Sequence, residues 1–219
     1  MLKKIYMLVA IMIFTPTMLN AAQIGGLAGT VGGQLLTITA QWGLVNRDVT
    51  INGSQKGDYD SRSFSLKGTY GVSDILDLYA NLGYADIQNL DGHDDTTLGD
   101  LFGGGFKYLF FEGPESGVRF SISGDIQFLK SNSNGVSVDY QEISGAAIVS
   151  KNYGHLSPFA GVKFSDISID IAGTETIKPE DNTGLFAGLD YFVNPNVYFT
   201  GEIHVFAENS IYVGAGYNF

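Results

Sequence analysis

Ile211-Tyr212-Val213-Gly214-Ala215-Gly216-Tyr217-Asn218-Phe219 is the stretch that decides the fold, and with it the chain stops. In extended backbone, successive side chains point to opposite faces. Ile211, Val213, Ala215, Tyr217 and Phe219 therefore share one face, and Tyr212, Gly214, Gly216 and Asn218 share the other. One face is apolar and closes on aromatics, while the other is small or polar. That is the wall of a β-barrel whose outside meets lipid and whose inside is polar.

The same period of two runs through the chain. In Val118–Phe128, Val118, Phe120, Ile122, Gly124, Ile126 and Phe128 oppose Arg119, Ser121, Ser123, Asp125 and Gln127. Ser63–Val72 sets Phe64, Leu66, Gly68, Tyr70 and Val72 against Ser63, Ser65, Lys67, Thr69 and Gly71. Val197–Phe206 sets Val197, Phe199, Gly201, Ile203 and Val205 against Tyr198, Thr200, Glu202, His204 and Phe206. The reading gives strands over 34–45, 62–72, 76–86, 99–110, 118–130, 139–150, 156–166, 183–192, 197–206 and 210–219. The expected fold is all-β: a closed antiparallel up-and-down transmembrane β-barrel of ten strands, with eight as the alternative. Residues 22–33 are Gly-rich and read as irregular.

The connections also alternate. Ser73–Ile75, Glu112–Gly117, Tyr153–His155 and Val193–Asn196 are tight and carry turn residues; Pro195, for example, fixes φ. Asn46–Ser61, Ile87–Leu98, Ser131–Val138 and Ile167–Asn182 read as longer polar loops, with Ala207–Asn209 a short exception. Short turns on one side and longer loops on the other fit periplasmic and surface ends of an outer-membrane barrel. Tyr70, Tyr108, Phe110, Tyr191, Phe199, Tyr217 and Phe219 fall near the turn side, and Trp42, Tyr84, Phe128 and Phe164 near the loop side. Two such belts are what amphipathic rings form at headgroup depth. A soluble lipocalin-type barrel would also alternate, but its water-facing positions would be rich in Lys, Glu and Thr. Here the polar face is mostly Ser, Gly, Asn and Gln.

Lys3 and Lys4 precede an apolar run from Ile5 to Phe14, and Ala21 and Ala22 follow. This reads as a signal peptide over 1–22, cleaved to leave one barrel domain over 23–219. The run is too short for a membrane helix, which needs about 20 apolar residues. With Lys3 and Lys4 removed, 10 of the 12 basic residues remain against 23 acidic ones, a net charge of −13. Nucleic acid, which demands a basic stripe, is thereby excluded as a partner. The chain has no Cys, which removes disulfide and thiol chemistry.

The terminal aromatic of the alternating strand, with Tyr217 and Phe219 on its outer face, resembles the C-terminal signal read by the bacterial barrel-assembly machinery. Tyr70-Gly71-Val72-Ser73-Asp74-Ile75-Leu76-Asp77-Leu78-Tyr79 resembles the strand–turn–strand unit of small outer-membrane barrels of the opacity-porin-like group, and Tyr217-Asn218-Phe219 is similar to that group's end. The resemblance spans roughly residues 34–219. It implies a location in the bacterial outer membrane, with outer-membrane lipid, lipopolysaccharide and the assembly machinery as partners. Its best-known members have eight strands.

Barrels of about eight strands have lumens that side chains fill, while those of 16–18 strands hold aqueous channels. Ten strands stand near the filled end. Lys67, Asp125, Lys163 and Glu202 come out at similar mid-barrel height on inward faces, and are expected to form an ion-pair network plugging the lumen, since unpaired buried charge is costly. The expected role is structural or surface-interacting, through short acidic loops. The alternative is a narrow porin-like path for ions or small solutes, with those four residues as its selectivity ring. Glu202 and His204 share the inner face, and with His93, Asp94 and Asp95 they resemble the acid and His pairs of omptins, ten-stranded membrane proteases. The omptin pattern has Asp where Glu202 stands and far longer loops, so no catalytic residue is expected and His204 reads as a polar lumen residue. Asp91-Gly92-His93-Asp94-Asp95 lacks the terminal Glu of a calcium loop and reads as a solvated acidic loop. No metal or cofactor is expected.

Overall fold

The computed structural model describes residues 30–51, 55–89, 96–133, 136–171 and 175–219. The expected signal segment 1–22 and the tract Asp91–Asp95 lie outside the described residues. Eleven strands form one antiparallel sheet: β1 (Leu36–Ile51), β2 (Gln55–Ser73), β3 (Leu76–Gln88), β4 (Gly99–Glu112), β5 (Val118–Ser133), β6 (Val136–Lys151), β7 (Leu156–Ile171), β8 (Glu175–Pro179), β9 (Thr183–Asn194), β10 (Val197–Val205) and β11 (Asn209–Asn218). β11 pairs with β1 from Thr37↔Asn218 to Asn46↔Asn209, which closes a ten-stranded barrel made of all but β8.

Ten strands in the expected places account for the lower barrel, the end with the tight turns. There the outer face is apolar: Leu36, Ile38, Ala40, Trp42 and Leu44 on β1, and Leu76, Leu78, Ala80, Leu82 and Tyr84 on β3. The inner face of β1 carries Thr37, Thr39 and Gln41, all buried. Tyr70, Tyr108, Phe110, Tyr191, Phe199 and Phe219 are exposed near the lower rim, and Tyr84 and Phe164 near the upper edge of the apolar band. Every backbone polar group in such a wall bonds to a neighbouring strand, which lipid requires.

The upper barrel corrects the expected loops. Most of Asn46–Ser61, Ser131–Val138 and Ile167–Asn182 is strand. A membrane-crossing strand needs about 9–11 residues; β1 has 16 and β2 has 19. The surplus rises beyond the apolar band, and its polarity is reversed. The outer face becomes Asn46, Asp48 and Thr50 on β1 and Asp166, Ser168 and Asp170 on β7, while Val49, Ile51, Ile167, Ile169 and Ile171 point inward and are buried. With Tyr59, Ala85, Ile87, Leu101, Leu129, Val138 and Ile177 they form one continuous apolar core.

β8 closes this upper section. It pairs with β7 (Ile169↔Ile177) on one side and with β1 (Val49↔Pro179) on the other. β8 and β9 descend alongside β7 as one strand whose register against it slips by one residue between Pro179 and Thr183. Above that break the ring has eight strands, β1–β8. Below it the β10–β11 hairpin is inserted between β9 and β1 and widens the ring to ten. The barrel that carries the apolar band thus has the expected ten strands, and eight is the count only of the ring above it.

Residues 30–35, without strand structure, lie against the β2–β3 turn at the lower end of the barrel. The Val31 N–H donates to Asp77 Oδ2 (3.0 Å), Gly33 N–H to Asp74 Oδ1 (3.0 Å) and Gln34 N–H to the Gly71 carbonyl (2.7 Å). A Cβ on Gly71 would strike the Gly32 carbonyl, so glycine there is what lets the strap approach.

Candidate functional site

Charged side chains enter the lumen at two levels. The upper level lies where eight strands become ten. Arg47 on β1 and Lys163 on β7 are carried by the two strands that pair with β8 above and separate to admit β9–β11 below. Between them stands Glu208, from the tip of the inserted hairpin. Phe206, with φ of +80°, occupies a backbone region that side chains other than glycine rarely adopt. This turn breaks the alternation: Phe206 is exposed, and the next two residues, Ala207 and Glu208, are both buried.

The Glu208 carboxylate is surrounded by donors. Arg47 pairs with it directly. Lys163 Nζ is 3.2 Å from each of its oxygens. The Ser210 and Tyr212 hydroxyls each donate to Oε1 at 3.1 Å, and His204 Nδ1 is 3.0 Å from the same oxygen. Glu142 on β6 completes the layer, 3.1 Å from Lys163 Nζ and 3.6 Å from Arg47 Nη2, and accepts from the Tyr140 hydroxyl at 2.8 Å. Arg47 also donates to Ser165 Oγ at 3.2 Å. Two bases face two carboxylates, all of them buried, which is the arrangement that offsets the desolvation of each charge. Beside this layer, lined by Arg47, Tyr59, Gln127, Tyr140, Glu142 and Glu208, the lumen retains a cavity of about 20 Å³, room for roughly one water molecule.

The lower level holds Lys67 (β2), Asp77 (β3), Lys107 (β4), Asp125 (β5), Asp190 (β9) and Glu202 (β10), all buried. Lys67 Nζ lies 3.9 Å from the centroid of the Tyr79 ring, with Asp125, Glu202, Asp77 and Asp190 in electrostatic reach. Tyr79 fits because β4 is glycine where its ring crosses. A Cβ on Gly105 would stand 2.6 Å from the Tyr79 hydroxyl. Tyr198 lies over Gly216 in the same way and bonds Thr39 Oγ1. Part of the chain's glycine content is thus what allows aromatic rings to lie flat across the inside of a narrow barrel.

The residues expected from sequence separate between these levels. Lys67 and Asp125 belong to the lower one. Lys163 belongs to the upper one, with Glu142 and Glu208 as its partners. Glu202 belongs to the lower one, in reach of Lys67, and its Oε1 is 2.5 Å from His204 Nε2, the ring that links it to Glu208 above. His204 is sandwiched, stacked on Phe186 (5.3 Å between centroids) and edge-on to Tyr212 (5.0 Å). Tyr217 and Phe219 pack edge to face at the lower outer rim, 4.8 Å between centroids. Sequence reading missed Arg47, Glu142 and Glu208. Arg47 was legible, since Val45, Arg47, Val49 and Ile51 share a face, but the segment read as loop. Glu208 had no periodic signal, because the Phe206 turn puts it out of phase. Among the described residues no group of three or more His, Cys, Asp and Glu side chains is arranged to hold a metal ion.

No protein-family model matches this chain, and no curated protein sequence does. Among solved structures it is similar to an outer-membrane channel from Pseudomonas putida F1, with a TM-score of 0.51 and 11% identity, covering 91% of this chain and 100% of that one. The translocator domain of autotransporter NalP from Neisseria meningitidis gives 0.48 at 13% identity, over 86% of this chain and 89% of that one. The outer-membrane protease OmpT from Escherichia coli gives 0.47 at 12% identity, over 85% and 97%. The first likeness bears on fold: this is an all-β, closed barrel of the small outer-membrane type.

Proposed function

We propose that the protein is a non-conducting outer-membrane barrel with a structural or surface-interaction role. It holds a packed upper barrel outside the membrane. The observation that carries this reading is the apolar core that fills the upper ring, from Val49 and Ile51 on β1 round to Ile177 on β8. Water and ions do not readily cross a close-packed apolar core. The Arg47–Glu142–Lys163–Glu208 layer beneath it supports the same reading. The wall of the upper barrel is acidic, with Asp48, Asp58, Asp139, Asp166 and Asp170 outward, so a surface partner would meet negative charge. Outer-membrane lipid and lipopolysaccharide would surround the lower wall, and Tyr217 and Phe219 would present the assembly signal.

A narrow ion path is the second reading, favoured by the polar lower lumen and by the likeness to the Pseudomonas outer-membrane channel. Catalysis is not part of the proposal: Glu202 and His204 lie close together, but both are buried, with the His204 ring held between Phe186 and Tyr212. Single-channel recording in a planar lipid bilayer tests the choice. Silence from protein shown to be folded and inserted is the expected result. Discrete steps that scale with salt would overturn it, and steps abolished by Lys67→Ala with Glu202→Ala would make those residues the conducting path.

A further inference from the structure

His204, near the top of β10, is the one buried imidazole among the described residues. Both of its ring nitrogens face carboxylate oxygens. Nε2 stands 2.5 Å from Glu202 Oε1, and Nδ1 stands 3.0 Å from Glu208 Oε1. The ring plane is fixed, stacked on Phe186 at 24° and edge-on to Tyr212 at 72°. A neutral imidazole has one N–H and one lone pair, whereas the imidazolium has two N–H donors. A neutral ring held in this plane would aim a lone pair at one of the two carboxylates. A proton on each nitrogen satisfies both contacts. Both acids also have cations beside them: Arg47 and Lys163 at Glu208, and Lys67 in electrostatic reach of Glu202.

We propose that His204 is a pH-operated clasp on the β10–β11 hairpin: as imidazolium it joins Glu202 to Glu208, and on giving one proton to solvent it releases one of them. Glu202 lies on the same strand as His204, and Glu208 follows the turn at Phe206, so the ring ties the strand to the tip beyond it. Glu208 is the group through which that tip meets Arg47 on β1 and Lys163 on β7, which makes His204 a positioning residue for the upper charged layer. The charged and titratable groups around the clasp are Glu202 from β10, Glu208 from the turn and Tyr212 from β11. Behind them stand Arg47 from β1, Lys67 from β2, Glu142 from β6 and Lys163 from β7, while β9 presents the Phe186 ring. Without the Nδ1 proton, Glu208 still has Arg47, Lys163 and the Ser210 and Tyr212 hydroxyls as donors. The Nδ1 tie is therefore the one that opens, and its lone pair then faces Glu208 Oε1. The stabilisation is complete while both nitrogens carry protons and is lost as pH rises.

The test reads the ring nitrogens directly. The chain has three histidines, so His93→Gln with His155→Gln leaves His204 as the only imidazole. That barrel, labelled with nitrogen-15 at histidine and refolded in detergent micelles, should show a proton on both ring nitrogens at about pH 7. Raising the pH should convert Nδ1 to the unprotonated type. Over the same interval the unfolding constant in urea should rise about tenfold, the scale of one hydrogen bond to a charged group. Adding His204→Gln, which has no titrating proton, should abolish that step. An unprotonated nitrogen already present at neutral pH would place the shared proton on a carboxyl group and overturn the clasp. A stability step that survives His204→Gln would overturn it as well. If the His204→Gln barrel does not fold, the parent barrel decides alone: loss of the Nδ1 proton with no change in the unfolding constant sinks the proposal.

Discussion

The lower and upper barrels share the same strands and obey opposite rules. Below Leu44, β1 puts Leu, Ile, Ala and Trp outward and Thr, Thr and Gln inward; above Arg47 it puts Asp and Thr outward and Val and Ile inward. Period and backbone are unchanged, and only the solvent differs. Lipid outside permits an apolar wall and leaves polar groups to satisfy one another within. Water outside restores the ordinary soluble arrangement, in which apolar burial stabilises the ring by about 25 cal/mol per Å². The charged layer at Arg47, Lys163, Glu142 and Glu208 lies at the changeover, where neither rule alone fills the lumen.

The comparison is broken most directly at that changeover. Glu208→Ala removes the carboxylate shared by Arg47, Lys163 and His204, and should cost about 3–5 kcal/mol, the scale for removing one partner of a buried ion pair. The urea midpoint of the reconstituted barrel, followed by Trp42 fluorescence, measures it. Next comes the upper core. Ile169→Ala should cost about 2–5 kcal/mol, as in a soluble protein core, and a smaller loss by the same measurement would mean that the upper ring is not packed as a core. A charge scan of the outer wall gives the smallest effects and the sharpest boundary. Ala80→Arg, midway along the lipid-facing row of β3, should cost about 2–4 kcal/mol. Asp166→Arg on the upper wall of β7 should stay within about 0.5 kcal/mol of wild type. Similar costs at the two sites would move the membrane boundary above β7's acidic row.

The lower barrel was legible because its alternation has the sign that sequence reading looks for in a membrane strand. The upper barrel alternates equally well with the faces exchanged, so segments such as Asn46–Ile51 looked merely polar and were read as loop. β8 was invisible for another reason: it is five residues long and ends in Pro179, and its pairing with β1 and β7 is a property of the closed ring. The lumen charges divide the same way. Lys67, Asp125, Lys163 and Glu202 lie on regular strands, and counting positions put them inside. Which of them meet depends on how the strands stagger around the barrel, and that stagger is set by the register of every strand pair.

That hairpin also bears on the order in which the chain can close. Pairing of β8 with β1 completes the upper ring without any residue beyond Pro179, and pairing of β11 with β1 completes the lower one. The two loops differ in length by much less than a factor of two, and a doubling costs only about 0.6 kcal/mol, so chain entropy barely ranks them. The upper ring is complete without the β10–β11 hairpin, whereas Glu208 meets Arg47 and Lys163 only when that hairpin stands in the gap between β9 and β1, as a keystone does in an arch.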